Sequence, residues 1–331
     1  MYGVNVNMSS FFKAWAKDNV ILAESSSGGV FSILSEYVIN NGGIVFGASQ
    51  DEKFNLKHIG VSNVDDLHLV RKSKYYQSDF MEVFTEASKA LRNGRLVLVS
   101  GTACQIQSIY NYLSLENIKT NNLITVDVLC HGVSNIAILK RYIESQEKRF
   151  NKKIINLTFR TKEVPWEKGG GTSMTLYFDD STSLIVPWKK DAYYLAFNND
   201  LSLRPSCHKC RFVGMDRVSD FTLADFWGIN SHYASPEQLK NGVGLMVANT
   251  QKAYDLLNTE YFSKNCCYEE INSNLATPYN AAFHTRRHIH SKRSFFFKNV
   301  QSRDFNGLVN QCLYKERFIY FAKDMYHKLI K

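Results

Sequence analysis

Residues 95–105 read RLVLVSGTACQ. A short apolar run rich in β-branched residues stops at Ser-Gly, and Thr-Ala then opens a stretch with helical spacing, TACQIQSIYNYLS. That is a buried strand handing over to a helix. Residues 123–132, LITVDVLCHG, are a second apolar strand. Upstream, SSSGGVFSILSEYVINNGGIVFGA (25–48) reads as a glycine-containing turn, a helix and a strand: Val30, Ile33, Leu34, Tyr37 and Val38 recur at helical spacing and Asn41-Gly42-Gly43 stops them. NVDDLHLVRKSKYYQSD (63–79) opens with an Asx cap and a short helix, then becomes a basic, aromatic loop, and MEVFTEASKALRNG (81–94) is a further helix. Strands alternating with helices predict an α/β domain with a largely parallel sheet.

The texture changes after residue 150. KIINLTFRTK, SMTLYFDDSTSLIVPW and FTLADFWGI look like strands, with Gly169-Gly170-Gly171 and Asp179-Asp180 as turns. The expected fold is α/β or α+β: a mixed sheet with flanking helices plus an inserted β-rich region carrying a CxxC loop. Three parts are expected: 1–150, a ligand-binding α/β part; 151–260, the β-rich part; and 261–331, a helical, basic part.

The 331 residues are 44% hydrophobic and 21% charged, the balance of a folded globular chain. No apolar run is long enough to span a bilayer, and the opening residues lack the basic-then-apolar pattern of a secretory signal, so a cytoplasmic, reducing setting is expected. The formal charge of +9 favours anionic partners: nucleic acid, a membrane surface, nucleotides or phosphorylated substrates. HTRRHIHSKRSFFFKN (284–299) concentrates that charge, but no nucleic-acid reader motif accompanies it, so no nucleic-acid partner is expected.

Seven cysteines in a reducing compartment point to metal or redox chemistry where they cluster. Cys207 and Cys210 lie in RPSCHKCRF (204–212), too polar a setting for a core role. Cys104 and Cys130 fall at the carboxyl ends of two strands, where ligands collect in open α/β sheets. The four thiols suit zinc or an iron–sulfur cluster equally well. Cys266, Cys267 and Cys312 read as small hydrophobes. Ser25 to Gly29, before a helix, either cap it or present backbone amides to an anion; Arg71, Lys72, Lys74, Tyr75 and Tyr76 either form a solvated basic loop or suit phosphates and a planar ring. Asp220 and Asp225 serve either a ligand or a turn.

Taken in order, SSGGVFS, GGIVFGA, RKSKYYQSD, GTACQI, LCHGV, LRPSCHKCRF and SDFTLADFWG resemble the coenzyme F420 hydrogenase/dehydrogenase beta-subunit family, over about Ser25 to Thr250. The resemblance implies an oxidoreductase holding FAD beside a [4Fe–4S] cluster, with Cys104, Cys130, Cys207 and Cys210 as ligands and zinc as the alternative occupant. It places Ser27, Gly28 and Gly29 at the FAD pyrophosphate, Ser73, Lys74 and Tyr75 against the flavin, and Thr102 and Gln105 beside it. Lys74 would stabilise the reduced ring and His131 would donate a proton.

The chain departs from the pattern at Ala103, where proline is usual, and at Ala224, where glycine is. No cysteine precedes Cys104, so a chain lacking the ferredoxin-like segment of many relatives is expected. Electrons would then come from a separate donor such as a ferredoxin. The substrate implied is an F420-like deazaflavin, or a nucleotide sugar in the branch tied to polysaccharide biosynthesis. The rival reading is a metal-stabilised, non-catalytic accessory protein of polysaccharide assembly, and self-association stays open.

Overall fold

Apolar residues that alternate along the first strands are sorted onto two faces of one sheet. Val45 and Leu98 point to one side, with Phe46, Val97 and Val99 on the other, as the two-residue period of a strand requires. A computed structural model describes residues 9–166 and 170–329. Gly169, the first of the three turn glycines, lies outside the described residues. The strands are β1 Ser10–Ala16, β2 Ile44–Gln50, β3 Leu56–Val61, β4 Val97–Thr102, β5 Leu123–Val128, β6 Ile154–Thr158, β7 Ser173–Phe178, β8 Ser183–Pro187, β9 Phe221–Asp225, β10 Gly244–Ala248 and β11 Cys266–Ile271.

Eight of them form one mixed sheet, in the order β11-β1-β10-β9-β5-β4-β2-β3. Its centre, β2-β4-β5-β9, is parallel; β3, β10, β1 and β11 add antiparallel pairs. Helix α1 (Asn19–Ala23) follows β1, and α2 (Val30–Asn40) packs Ile33, Leu34 and Val38 on one face. Helices α3 (Met81–Arg92) and α4 (Ala103–Leu115) cover the other face with Val83, Ala87, Ile106, Ile109 and Leu113. The fold is thus α/β, a mixed sheet flanked by helices, as the alternating pattern implied.

Strands β6, β7 and β8 make a separate antiparallel sheet. It shares a second core with α5 (Ile136–Phe150) and α6 (Ala192–Asn198). Short helices α7 (Pro236–Asn241), α8 (Gln251–Leu257), α9 (Glu260–Asn265) and α10 (Ser273–Ala276) dress the large sheet. Then α11 (Arg293–Asn299), α12 (Phe305–Cys312) and α13 (Tyr314–Leu329) close the described chain. Of the CxxC residues, Cys207 lies in a 3-10 turn, Pro205–Lys209, between α6 and β9, and Cys210 caps its end. The last part of the chain is not wholly helical, because Cys266 and Cys267 open the edge strand β11. No helix among the described residues is long and apolar enough to cross a membrane.

Candidate functional site

The parallel strands β2, β4, β5 and β9 end at one edge of the sheet, and β1 ends there too. Beyond that edge opens a cavity of about 480 Å³. Ser27, Gly28, Gly29, Ser73, Lys74, Tyr75, Thr102, Cys104, Gln105, Cys130 and His131 all line it. Residues more than a hundred positions apart in sequence therefore meet at one place, as expected of strand carboxyl ends.

The Ser-Gly-Gly turn is pressed against the sheet. A Cβ at Gly28 would lie 2.2 Å from the Ala14 carbonyl oxygen and 2.8 Å from the Gly244 nitrogen. Gly29 takes φ of 83° and caps α2 without a side-chain partner, leaving first-turn amides of that helix free to meet an anion. Ser26 Oγ accepts from the Ser73 amide at 2.8 Å, tying this turn to the basic loop. Ser27 itself donates to the Val243 carbonyl.

In that loop Lys74 Nζ donates to the carbonyls of Ala48 (2.7 Å) and Arg71 (2.5 Å). Those oxygens favour the ammonium, yet burial outweighs them and, with Lys72 nearby, pushes its pKa down to about 7. Tyr75 packs edge-on to Phe159 and against Tyr194 and Phe197, and burial pushes its phenol up.

Thr102 and Gln105 are less free than a ligand-binding role implied. They form a capping box at the start of α4: Gln105 Oε1 accepts from the Thr102 amide and hydroxyl, and its Nε2 donates to Ser78 Oγ. Their polar groups fix the turn that presents Cys104.

Cys104 stands exposed in the first turn of α4, Cys130 follows β5, Cys207 lies in the 3-10 turn and Cys210 caps its end. The four are close enough that burial, then the charges of Cys207, Cys104 and Cys210, push the Cys130 thiol up to about 12. Cys207 is raised too, by burial first.

Each sulfur also has a polar neighbour suited to a thiolate. Thr102 Oγ1 lies 3.0 Å from Cys104 Sγ, and the Phe212 amide donates to Cys210 Sγ. The amides of Gly132 and Val133 favour the charged forms of Cys130 and Cys207. Gly132 turns its amide there at φ of 146°, a conformation that favours glycine. Arg204 and Arg293 add positive charge beside Cys207.

Among the described residues no three His, Cys, Asp or Glu converge closely enough for a single metal ion.

His131 Nε2 lies 2.9 Å from Asp200 Oδ1 and 3.2 Å from the Phe197 carbonyl, its ring against Phe197. Asp220 is buried away from the cavity, accepting from the Thr125 amide and hydroxyl and from Thr250. Asp225 does face it. It takes a two-pronged bond from Arg160, at 2.7 and 2.5 Å, and though burial opposes the guanidinium, Asp225 holds its pKa above the ordinary value.

Arg160, Tyr194 and Trp227 complete the wall and were not singled out by sequence. Arg160 lies in a strand-like stretch 65 positions from its partner, so no local pattern marks it. The buried Tyr194 hydroxyl and Ser32 Oγ, both on the cavity wall, have no hydrogen-bond partner. Orphaned polar atoms of this kind fit a polar ligand in the cavity.

Two family models match the chain, both described as the beta subunit of coenzyme F420 hydrogenase/dehydrogenase. Residues 94–273 match the model of its C terminus and residues 11–85 the model of its N-terminal part. The likeness is thus wider than the stretch from Ser25 onward: the family's N-terminal region is present and begins within β1. A similar solved structure is the F420-reducing [NiFe] hydrogenase complex from Methanosarcina barkeri. It superposes with a TM-score of 0.55 at 16% identity, covering 92% of this chain and 91% of that one, a likeness of fold. No curated protein sequence matches the chain.

Proposed function

The chain belongs to the coenzyme F420 hydrogenase/dehydrogenase beta-subunit family, an oxidoreductase family, and from that premise we propose that it is an FAD- and [4Fe–4S]-dependent electron-transfer enzyme. It would pass electrons between a separate donor, such as a ferredoxin, and an anionic substrate in a cytoplasmic setting. That substrate is an F420-like deazaflavin or a nucleotide-sugar intermediate of polysaccharide assembly. One observation carries the reading: the Ser-Gly-Gly turn, the Lys74 loop, Cys104 and Cys130 line one cavity at the strand carboxyl ends, with Cys207 and Cys210 near enough to Cys130 to act on its thiol.

When bound, the flavin would supply hydride chemistry and the cluster single-electron transfer. The protein's share is placement. Cys104, Cys130, Cys207 and Cys210 would hold the cluster, with Thr102, Phe212 and the Gly132–Val133 amides setting its charge. Gly28, Gly29 and the start of α2 would receive a pyrophosphate, and Tyr75 would wall the ring. Lys74, poised near neutrality, would offer a proton or positive charge from a dry site. His131 keeps Nε2 on Asp200 and Phe197, so Nδ1 is its exchangeable atom; His131→Gln should lower turnover while iron and flavin contents hold, and unchanged turnover would remove it from the reaction.

The test of the whole reading is anaerobic purification followed by iron, zinc and flavin assays and an absorption spectrum. Flavin bands, broad cluster absorbance and about four irons per chain support it. Colourless, flavin-free protein with stoichiometric zinc overturns it in favour of the accessory role.

A further inference from the structure

Helix α13 is mounted with its apolar side outward. At about 100° per residue, Tyr314, Phe318, Phe321 and Met325 fall within roughly 60° of arc. All are exposed, Phe318 at 71% and Phe321 at 63%, and exposed Ile319 and Tyr326 widen the stripe. The opposite side holds the helix to the protein through polar contacts: Glu316 meets His290, and the Tyr320 hydroxyl donates to Asn199 while its ring packs on Trp188. An amphipathic helix on a globular protein ordinarily buries its apolar stripe. Here the stripe faces away, and a contiguous exposed apolar surface of this size marks an interaction site.

Charge identifies the occupant. Residues 284–329 carry ten Lys and Arg against three Asp and Glu. Lys315 is exposed on α13 beside the aromatic stripe. The segment that His290 joins to α13 adds exposed Arg286, His288, Lys292 and Lys298, with exposed Ile289 and Phe297 among them. Basic residues bordering an aromatic-rich apolar face are the chemistry of a helix lying in the headgroup layer of an anionic bilayer.

We infer that α13 and the basic segment before it form a peripheral membrane-binding surface that seats on anionic lipid. The helix lies in the surface plane, and nothing in the inference depends on which cofactor the cavity holds.

The test uses the full chain with vesicles of phosphatidylcholine alone and of phosphatidylcholine mixed with phosphatidylglycerol. Co-sedimentation with the mixed vesicles only, weakening as salt is added, is expected. Phe318→Ser with Phe321→Ser should abolish it, and Lys315→Glu should weaken it roughly fivefold or more. Because these side chains are exposed, all variants should melt with the parent. Absence of co-sedimentation overturns the inference, as does vesicle binding that survives the double serine change. Concentration-dependent dimers that the same change dissolves, without vesicle binding, would assign the face to a second copy of the chain.

Discussion

Lys74 shows how one side chain can be set chiefly by burial, with a neighbouring like charge adding to it. Its pKa near 7 against an ordinary 10.5 means that the folded state resists its charge. The penalty is full below pH 7, where both states hold the proton, and is relieved as pH rises toward 10.5, so stability should climb through that window. Lys74→Met should flatten the climb and, if the amine faces a reduced flavin, lower the flavin potential; an unmoved potential would remove the second role.

Gly28 illustrates the steric counterpart. A methyl group there would meet backbone of β1 and β10 rather than a yielding side chain. Gly28→Ala should cost about 2 kcal/mol or more and loosen the turn that faces the cavity. A denaturation midpoint equal to the parent's would show that the strands can part at little cost.

Among the elements, the tie between the stretch that follows β6 and the end of β9, made by Arg160 and Asp225, matters most for the cavity. Both groups are nearly inaccessible, and Arg160 also reaches the Ser26 carbonyl. Arg160→Leu leaves a buried carboxylate uncompensated and should cost about 3–5 kcal/mol, whereas adding Asp225→Leu should recover much of it. Equal losses in the single and double variants would mean that packing, not charge, dominates.

This pair marks where sequence reading ran out. The β4–α4 junction was legible because strand, glycine stop and helix spacing are local, and Cys104 came with it. Arg160 and Asp225 acquire meaning only when β9 enters the large sheet and β6 does not. Strands β1, β3, β10 and β11 were passed over for a related reason: their antiparallel partners are remote or, for β3, next to a parallel run that already read as complete. The donors to the thiols are mostly backbone amides, which sequence does not reveal. Thr102 and Gln105 were visible, but their mutual cap was not.

At the scale of the whole molecule, the four thiols join separate parts of the chain. Cys104 and Cys130 belong to the large sheet's edge, while Cys207 and Cys210 follow α6, which packs in the second core. A group held by all four would fasten the two cores, so its loss is a stability effect as well as a chemical one. Cys210→Ser should deplete iron and lower the melting temperature by about 5 °C or more; full iron content with parental melting would take Cys210 out of the ligand set.

The placement of β1 has a different consequence, in time. Ala14 pairs with Gly244 and Ala16 with Cys266, so β1 is synthesised well ahead of both strands that flank it. At ordinary elongation rates the wait is roughly ten to fifty seconds. Throughout it, SFFKAWA is an unpaired, aromatic strand in search of an edge, and the Ser-Gly-Gly turn that it anchors has no sheet to rest on. Long-range closure of this kind is slow. Until β10 and β11 are made, that strand has neither of the edges that hold it in the finished sheet.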